Sequence, residues 1–129
     1  MKQKNKHIFV FGIFAVDLSF YVDKKVKPGE TIIAKSSNIG PGGKASNQAI
    51  SARKLGASTT LITRLGNDNF SSYANNIWRR EKLLASTTID KNLPTGMAGI
   101  FIDDKTGENS VIVDPGASAN LCIDDFYSQ

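Results

Sequence analysis

In the stretch "GPGGKASNQA", residues 40–49, three glycines, a proline and a lysine lead into a run with helical spacing. Glycines at a helix start leave backbone N–H groups uncovered, and such a place welcomes hydroxyl or anionic oxygens. The pattern is not a P-loop, which needs two glycines bracketing four residues and then Lys-Ser or Lys-Thr, because Ala45 follows Lys44. Nor is it the dinucleotide pattern G-x-G-x-x-G, since no third glycine stands at the right place. A phosphate cradle, a sugar pocket and a tight turn without a ligand all stay open on these residues alone. Asp17, just past an apolar run, reads equally as a turn or cap aspartate and as a ligand-binding one.

The elements around these residues must position them. "HIFVFGIFAV", residues 7–16, is rich in β-branched and aromatic residues and apolar on both faces. It is expected to be a central strand buried on both sides, with Gly12 admitting another backbone or a ligand. "LSFYVDKKV" alternates roughly, "KPGE" is a turn, and "TIIAKSSNI" is expected as a half-exposed strand. From Lys44 the period changes: Ala45, Ala49, Ala52 and Leu55 fall on one helix face, which Gly56 ends. "STTLITRLG" is a further strand. "NFSSYANNIWRREKLL" is a second helix, with Phe70, Tyr73, Ile77 and Leu84 on or near one face and Asn67 or Asp68 as its cap. "MAGIFIDDKTGENSVIVD" reads as a hairpin about "DDKTGEN", and Asp124 and Asp125 as the start of another helix. Strands alternating with helices predict an α/β sheet with an antiparallel piece added by hairpins.

With 129 residues the chain has room for one domain. Its hydrophobic share of 40% and charged share of 22% are those of an ordinary globular chain and exclude a disordered one. The net charge of +4 comes largely from the tail "MKQKNK" and from pairs such as Lys24-Lys25 and Arg79-Arg80. It shows no basic face interleaved with aromatics, so no nucleic-acid partner is expected. The single cysteine, Cys122, can form neither an intrachain disulfide nor a zinc cluster, which makes a cytoplasmic setting the expectation. The tail followed by "IFVFGIFAV" imitates a signal peptide. No small-x-small site follows, however, and the run is far shorter than the roughly 20 residues that cross a bilayer, so no membrane role is expected.

Gly42, Gly43, Ala45, Asn47, Ala49, Gly56 and Gly66 stand in the order and spacing of the first signature of the PfkB family of carbohydrate kinases. The chain resembles that family from His7 to Leu121. An apolar first strand ends near Asp17, "PGE" precedes a strand, "RLGNDNF" follows the signature, and "TGMAGIFIDDKTGENSVIVDPGA" is similar to the family's second lid segment. The resemblance implies a partial ribokinase-like α/β fold: a central, mostly parallel sheet with flanking helices, plus a small protruding β-sheet lid. Residues 1–129 would be the N-terminal portion of the kinase domain, with core segments 7–17, 40–95 and 114–129 and lid segments 18–39 and 96–113.

The function it implies is ATP-dependent phosphorylation of a sugar hydroxyl. Asp17 matches an aspartate that hydrogen-bonds sugar hydroxyls, Gly42 and Gly43 match glycines whose backbone lies against the sugar, and Lys44 and Asn47 match side chains that hold its hydroxyls. Ala98 and Val113 match lid positions that touch it. If Gly43 lies against the sugar, a Cβ there should block the pocket and leave the fold largely intact. Ala15 stands where ribokinases proper commonly have asparagine, and Gly116-Ala117-Ser118 where "GAN" is usual. Asp68 matches the family's glycine-aspartate pair and is expected to be a structural helix cap.

The catalytic base, most of the ATP site and the Mg²⁺ chemistry belong to a later "GAGD"-type motif, which does not occur here. The chain is therefore expected to be the front of a longer enzyme, with no catalytic residue of its own, no metal ligand and no kinase activity alone. Alternatives are a nucleoside or other small-molecule acceptor within the same family, or a truncated sugar-binding or dimerisation module. A homodimer through the lid segments is also implied, with Ile32 or Ile100 as the outward residue.

Overall fold

The computed structural model describes residues 6–127; most of the basic tail, residues 1–5, lies outside the described residues. The described chain runs β1 (His7–Phe11), β2 (Ala15–Val22), β3 (Ser36–Gly42), α1 (Lys44–Lys54), β4 (Ser58–Gly66), α2 (Asn69–Arg80), β5 (Leu84–Asp90), β6 (Thr95–Asp103), β7 (Asn109–Gly116), a 3-10 turn (Ala117–Asn120) and α3 (Ile123–Tyr127). A three-stranded parallel sheet has the order β1-β4-β5, and a four-stranded sheet has the order β3-β2-β6-β7. In the second, β2 pairs antiparallel with β3 and parallel with β6, and β6 pairs antiparallel with β7. This is the expected α/β architecture, a parallel sheet with helices plus a separate small sheet.

The core lies where α1 and α2 cover one face of the parallel sheet. Alternation along β4 turns Thr59, Leu61, Thr63 and Leu65 towards the helices, and all four are buried. They meet Phe14, Val16, Ala45, Ala49, Ala74, Ile77, Trp78 and Leu83. Trp78 is fully enclosed, with its ring edge-on to Phe14 at 5.2 Å and its indole N–H donated to the Ser46 hydroxyl at 3.0 Å. On the opposite face of β4, Arg64 donates to Asp125 of α3 at 3.0 Å, and Phe126 of α3 meets Phe9 of β1 edge-on.

Several sequence expectations need correcting. The run from His7 to Val16 is two strands in two sheets, divided at Gly12, where a Cβ would stand 2.7 Å from that of Ala45. Within the described residues β1 is an edge strand rather than a central one, and Phe9 is 57% exposed. Residues 31–35 are not strand; pairing begins at Ser36 and runs on through Gly40, Pro41 and Gly42. Leu55 caps α1 and points to solvent, and Leu84 begins β5, so Ser46, Trp78 and Leu83 take the buried places instead. Gly56, at positive φ, ends the first helix as expected, whereas the helical period carried the second about a turn too far, past Lys82, whose positive φ takes the chain out of α2.

Candidate functional site

Asp17 lies in the middle of β2, paired with Gly40 on β3 and Ala98 on β6, and Ala98 is paired in turn with Val113 on β7. Directly paired residues share a sheet face, so Gly40, Asp17, Ala98 and Val113 form one transverse row with strands about 4.8 Å apart. Three of the sequence-derived site residues, far apart in the chain, are thereby brought side by side. Ala98 is buried in the row and Val113 is exposed at its end.

The Asp17 side chain leans diagonally towards the end of β3. A Cβ built on Gly42 would fall inside its carboxylate, so only glycine at position 42 lets that carboxylate lie against the turn into α1. Asp17 makes no side-chain hydrogen bond or ion pair among the described residues, and burial pushes its carboxyl above the ordinary value. A half-buried carboxylate without a partner is costly, and donors arriving from outside would relieve that cost.

Gly43 caps α1 with φ at 86° and offers no side chain, so the first-turn N–H groups of that helix have no side-chain acceptor. Here the sequence expectation fails on a structural point. A Cβ on Gly43 would collide with the Ile13 carbonyl and stand 2.7 Å from Phe14 Cα, so alanine disturbs the fold rather than simply filling a pocket. Lys44 opens α1 and Asn47 stands one turn in; both are exposed, with no side-chain hydrogen bond among the described residues. The strand-to-helix turn thus carries the Asp17 carboxylate against Gly42, first-turn N–H groups without a side-chain cap, and the exposed side chains of Lys44 and Asn47. That set suits neighbouring hydroxyls, which donate to the carboxylate and accept from the amides. A surface cavity of about 310 Å³ lies away from it, lined by Lys24, Asp103, Glu108 and Asn109 at the tip of the mixed sheet.

Sequence reading missed a polar network on the face of β4 opposite the helices. Arg64 is bonded to Asp90 and Asp125; Asn120 donates to Asp90 at 3.0 Å. Hydrogen bonds from the Asn92 backbone N–H and the Asn120 amide, with Arg64 behind them, hold Asp90 at about 2. Burial works to raise Asp125, but Arg64, Thr88 and the Cys122 N–H outweigh it and hold it at about 2 as well. Ser118 is buried with its hydroxyl 3.2 Å from the Phe14 carbonyl, so it ties the 3-10 turn to the start of β2. The one charged residue of β4, Arg64, was the signal available for the network. Asp68 caps α2 as expected, accepting from Ser71 N–H at 2.9 Å.

Among the described residues no group of three or more His, Cys, Asp or Glu side chains could hold a metal ion. No helix there is long and apolar enough to cross a membrane.

Residues 5–126 match the pfkB family carbohydrate kinase description. The deoxyribokinase of Salmonella typhi is 36% identical over 122 residues, covering 92% of this chain and 39% of that protein. The solved ribokinase of Giardia lamblia superposes with a TM-score of 0.85 at 28% identity, covering 94% of this chain and 37% of its own. The Arabidopsis thaliana ribokinase solved with ribose and ATP gives 0.74 at 30% identity, covering 85% and 36%. The chain thus spans about two fifths of the length of these relatives.

Proposed function

Since the chain belongs to the pfkB family of carbohydrate kinases, we propose that it is the sugar-binding, N-terminal portion of an ATP-dependent kinase that phosphorylates a sugar hydroxyl. The observation that carries this reading is the Asp17 carboxylate, half-buried, unpartnered among the described residues and laid against Gly42 where α1 begins. Asp17 accepts from two neighbouring hydroxyls, the N–H groups about Gly43 and Lys44 donate to sugar oxygens, and Asn47 holds a further one. Ala98 and Val113 form the apolar floor of the row. The mixed sheet, which holds most of segments 18–39 and 96–113 and also takes in Asp17 and residues 40–42, is the lid over the parallel sheet and its helices, and excludes water that would otherwise compete for the phosphoryl group.

ATP and Mg²⁺ supply the transferring group and its charge neutralisation in the whole enzyme. The catalytic base and most of the ATP site belong to the later motif that this chain lacks, so the chain alone turns over no ATP. The setting is cytoplasmic. Two copies associate through their mixed sheets, where Ile112 is 70% and Ile39 56% exposed. Ile32 and Ile100, the outward candidates from the sequence, are both half-buried. Light scattering of the chain should then report a dimer.

Ribose and 2-deoxyribose, named by the relatives, are the first sugars to titrate into the labelled chain while amide resonances are followed. Shifts at Asp17, Gly42, Gly43 and Lys44 that saturate together are expected, and Gly42→Ala should abolish them with the fold retained, by displacing the Asp17 carboxylate. No saturable shift with any sugar of a broad panel, or steady sugar-dependent ADP production by the chain, would overturn the reading.

A further inference from the structure

At the root of the mixed sheet three chain segments pass at backbone distance. A Cβ on Gly96 would stand 2.7 Å from the Pro115 carbonyl, one on Gly66 2.6 Å from that of Leu93, and one on Gly116 would strike that of Pro94. Thr95, the first residue of β6, sits in this knot almost wholly buried. Its backbone N–H donates to Asp68 Oδ2 at 2.7 Å, its hydroxyl donates to Asp68 Oδ1 at 2.8 Å, and that hydroxyl accepts from Gly66 N–H at 3.0 Å. Asp68 Oδ1 also accepts from Ser71 N–H in the first turn of α2. Burial alone would raise the Asp68 carboxyl, yet the Thr95 and Ser71 donors hold it below its ordinary value.

A helix cap needs one acceptor oxygen, and asparagine or serine serves as well as aspartate. Asp68 uses both oxygens, and the second reaches across to another element. Three residues beyond Thr95 on β6 stands Ala98, paired with Asp17. We infer that Asp68 is a positioning residue: with Thr95 it clamps β6 to the start of α2 and so sets the Asp17–Ala98 row relative to α1. The inference rests on the reading of that row as a sugar site, and it gives Asp68 a second task beside the cap.

Asp68→Asn separates the two tasks. Its carboxamide oxygen can still cap α2 and receive the Thr95 hydroxyl, but its –NH₂ now faces the Thr95 N–H, donor against donor. Amide exchange in Asp68→Asn should quicken by about tenfold or more in residues 15–22 and 95–103, while β4 keeps its protection. Thr95→Val should do the same and Thr95→Ser should restore protection. Sugar affinity, read by the amide titration, should weaken by about tenfold in the first two variants and recover in the third. If the wild-type chain binds no sugar, the site reading fails and the exchange pattern still decides the clamp. Exchange that is unchanged, or quickened equally in β4 and the mixed sheet, would make Asp68 a helix cap alone. Should Asp68→Asn not fold, the Thr95 pair decides, and loss of all structure in Thr95→Val also overturns the inference.

Discussion

In the parallel sheet Arg64 holds two carboxylates and Trp78 donates to Ser46, whereas in the mixed sheet the Asp17 carboxylate has no partner among the described residues. Apart from Thr63, the first region satisfies its buried side-chain polar groups from within; the second leaves the half-buried Asp17 carboxylate unpaired among the described residues. The same contrast runs through the glycines. Gly43 is glycine because Ile13 and Phe14 leave no room, and Gly42 because the Asp17 carboxylate lies across it. Two adjacent residues of one motif thus answer to different demands, one of backbone packing and one of room for the Asp17 side chain proposed to bind sugar.

The largest expected effect lies on the folding side. Trp78→Ala removes a fully enclosed ring, its contact with Phe14 and the partner of a buried Ser46. It should cost about 3–5 kcal/mol in urea unfolding, as large-to-small changes in cores do. Sugar affinity, measured where the variant is still folded, should be untouched. A stability loss under about 1 kcal/mol would show the helix face to be more adaptable than its packing implies.

Asp17→Ala should behave the opposite way. Removing an unpartnered, partly desolvated carboxylate relieves the fold, so urea stability should hold or rise slightly. Sugar binding should fall by about 2–4 kcal/mol, the size expected for deleting a charged hydrogen-bond partner. If the variant loses stability and binds sugar normally, Asp17 belongs with the structural carboxylates and the comparison collapses.

This contrast marks how far the sequence could be read. The signature from Gly42 to Gly66 identified the turn and its family, because backbone demands at glycines survive as exact spacing. The row of Asp17, Ala98 and Val113 was named only through that resemblance; its geometry depends on the register of β2, β6 and β7, which no local pattern encodes. The break at Gly12 was hidden because apolar residues continue across it into a different sheet. Thr95 gave no signal at all, since a threonine at a strand start reads the same whether or not a distant carboxylate holds it.

Acid should separate the two regions a third time, more gently. Asp90 and Asp125 are held at about 2, against an ordinary value of 3.8. Their contribution is therefore fully present above about pH 4 and is lost as the pH falls towards 2. Asp17 has the opposite sign: its carboxyl is raised, so its ionisation removes stability as the pH climbs just past 3.8. Urea midpoints between pH 2 and 6 should rise steeply at first and then flatten. Arg64→Gln should make the rise shallower, and Asp17→Asn should sharpen the plateau. A wild-type midpoint that does not change from pH 4 down to 2 would mean that the Arg64 network contributes nothing to the folded state.

The smallest expected effect tests the rule for the folding side at its one exception. Thr63 is fully buried on β4, and its hydroxyl alone among the described buried side-chain polar atoms has no hydrogen-bond partner. It sits between Leu61 and Leu65 on the helix-covered face, where no sugar could reach it. Unlike Asp17, then, it gains nothing from going unpaired. Valine keeps its branched shape and its fit to the strand while removing the stranded hydroxyl. Thr63→Val should raise stability by about 1 kcal/mol and leave sugar affinity unchanged. Destabilisation instead would reveal that the hydroxyl does have a partner, such as an enclosed water, and that the core of the parallel sheet satisfies every buried polar group it contains.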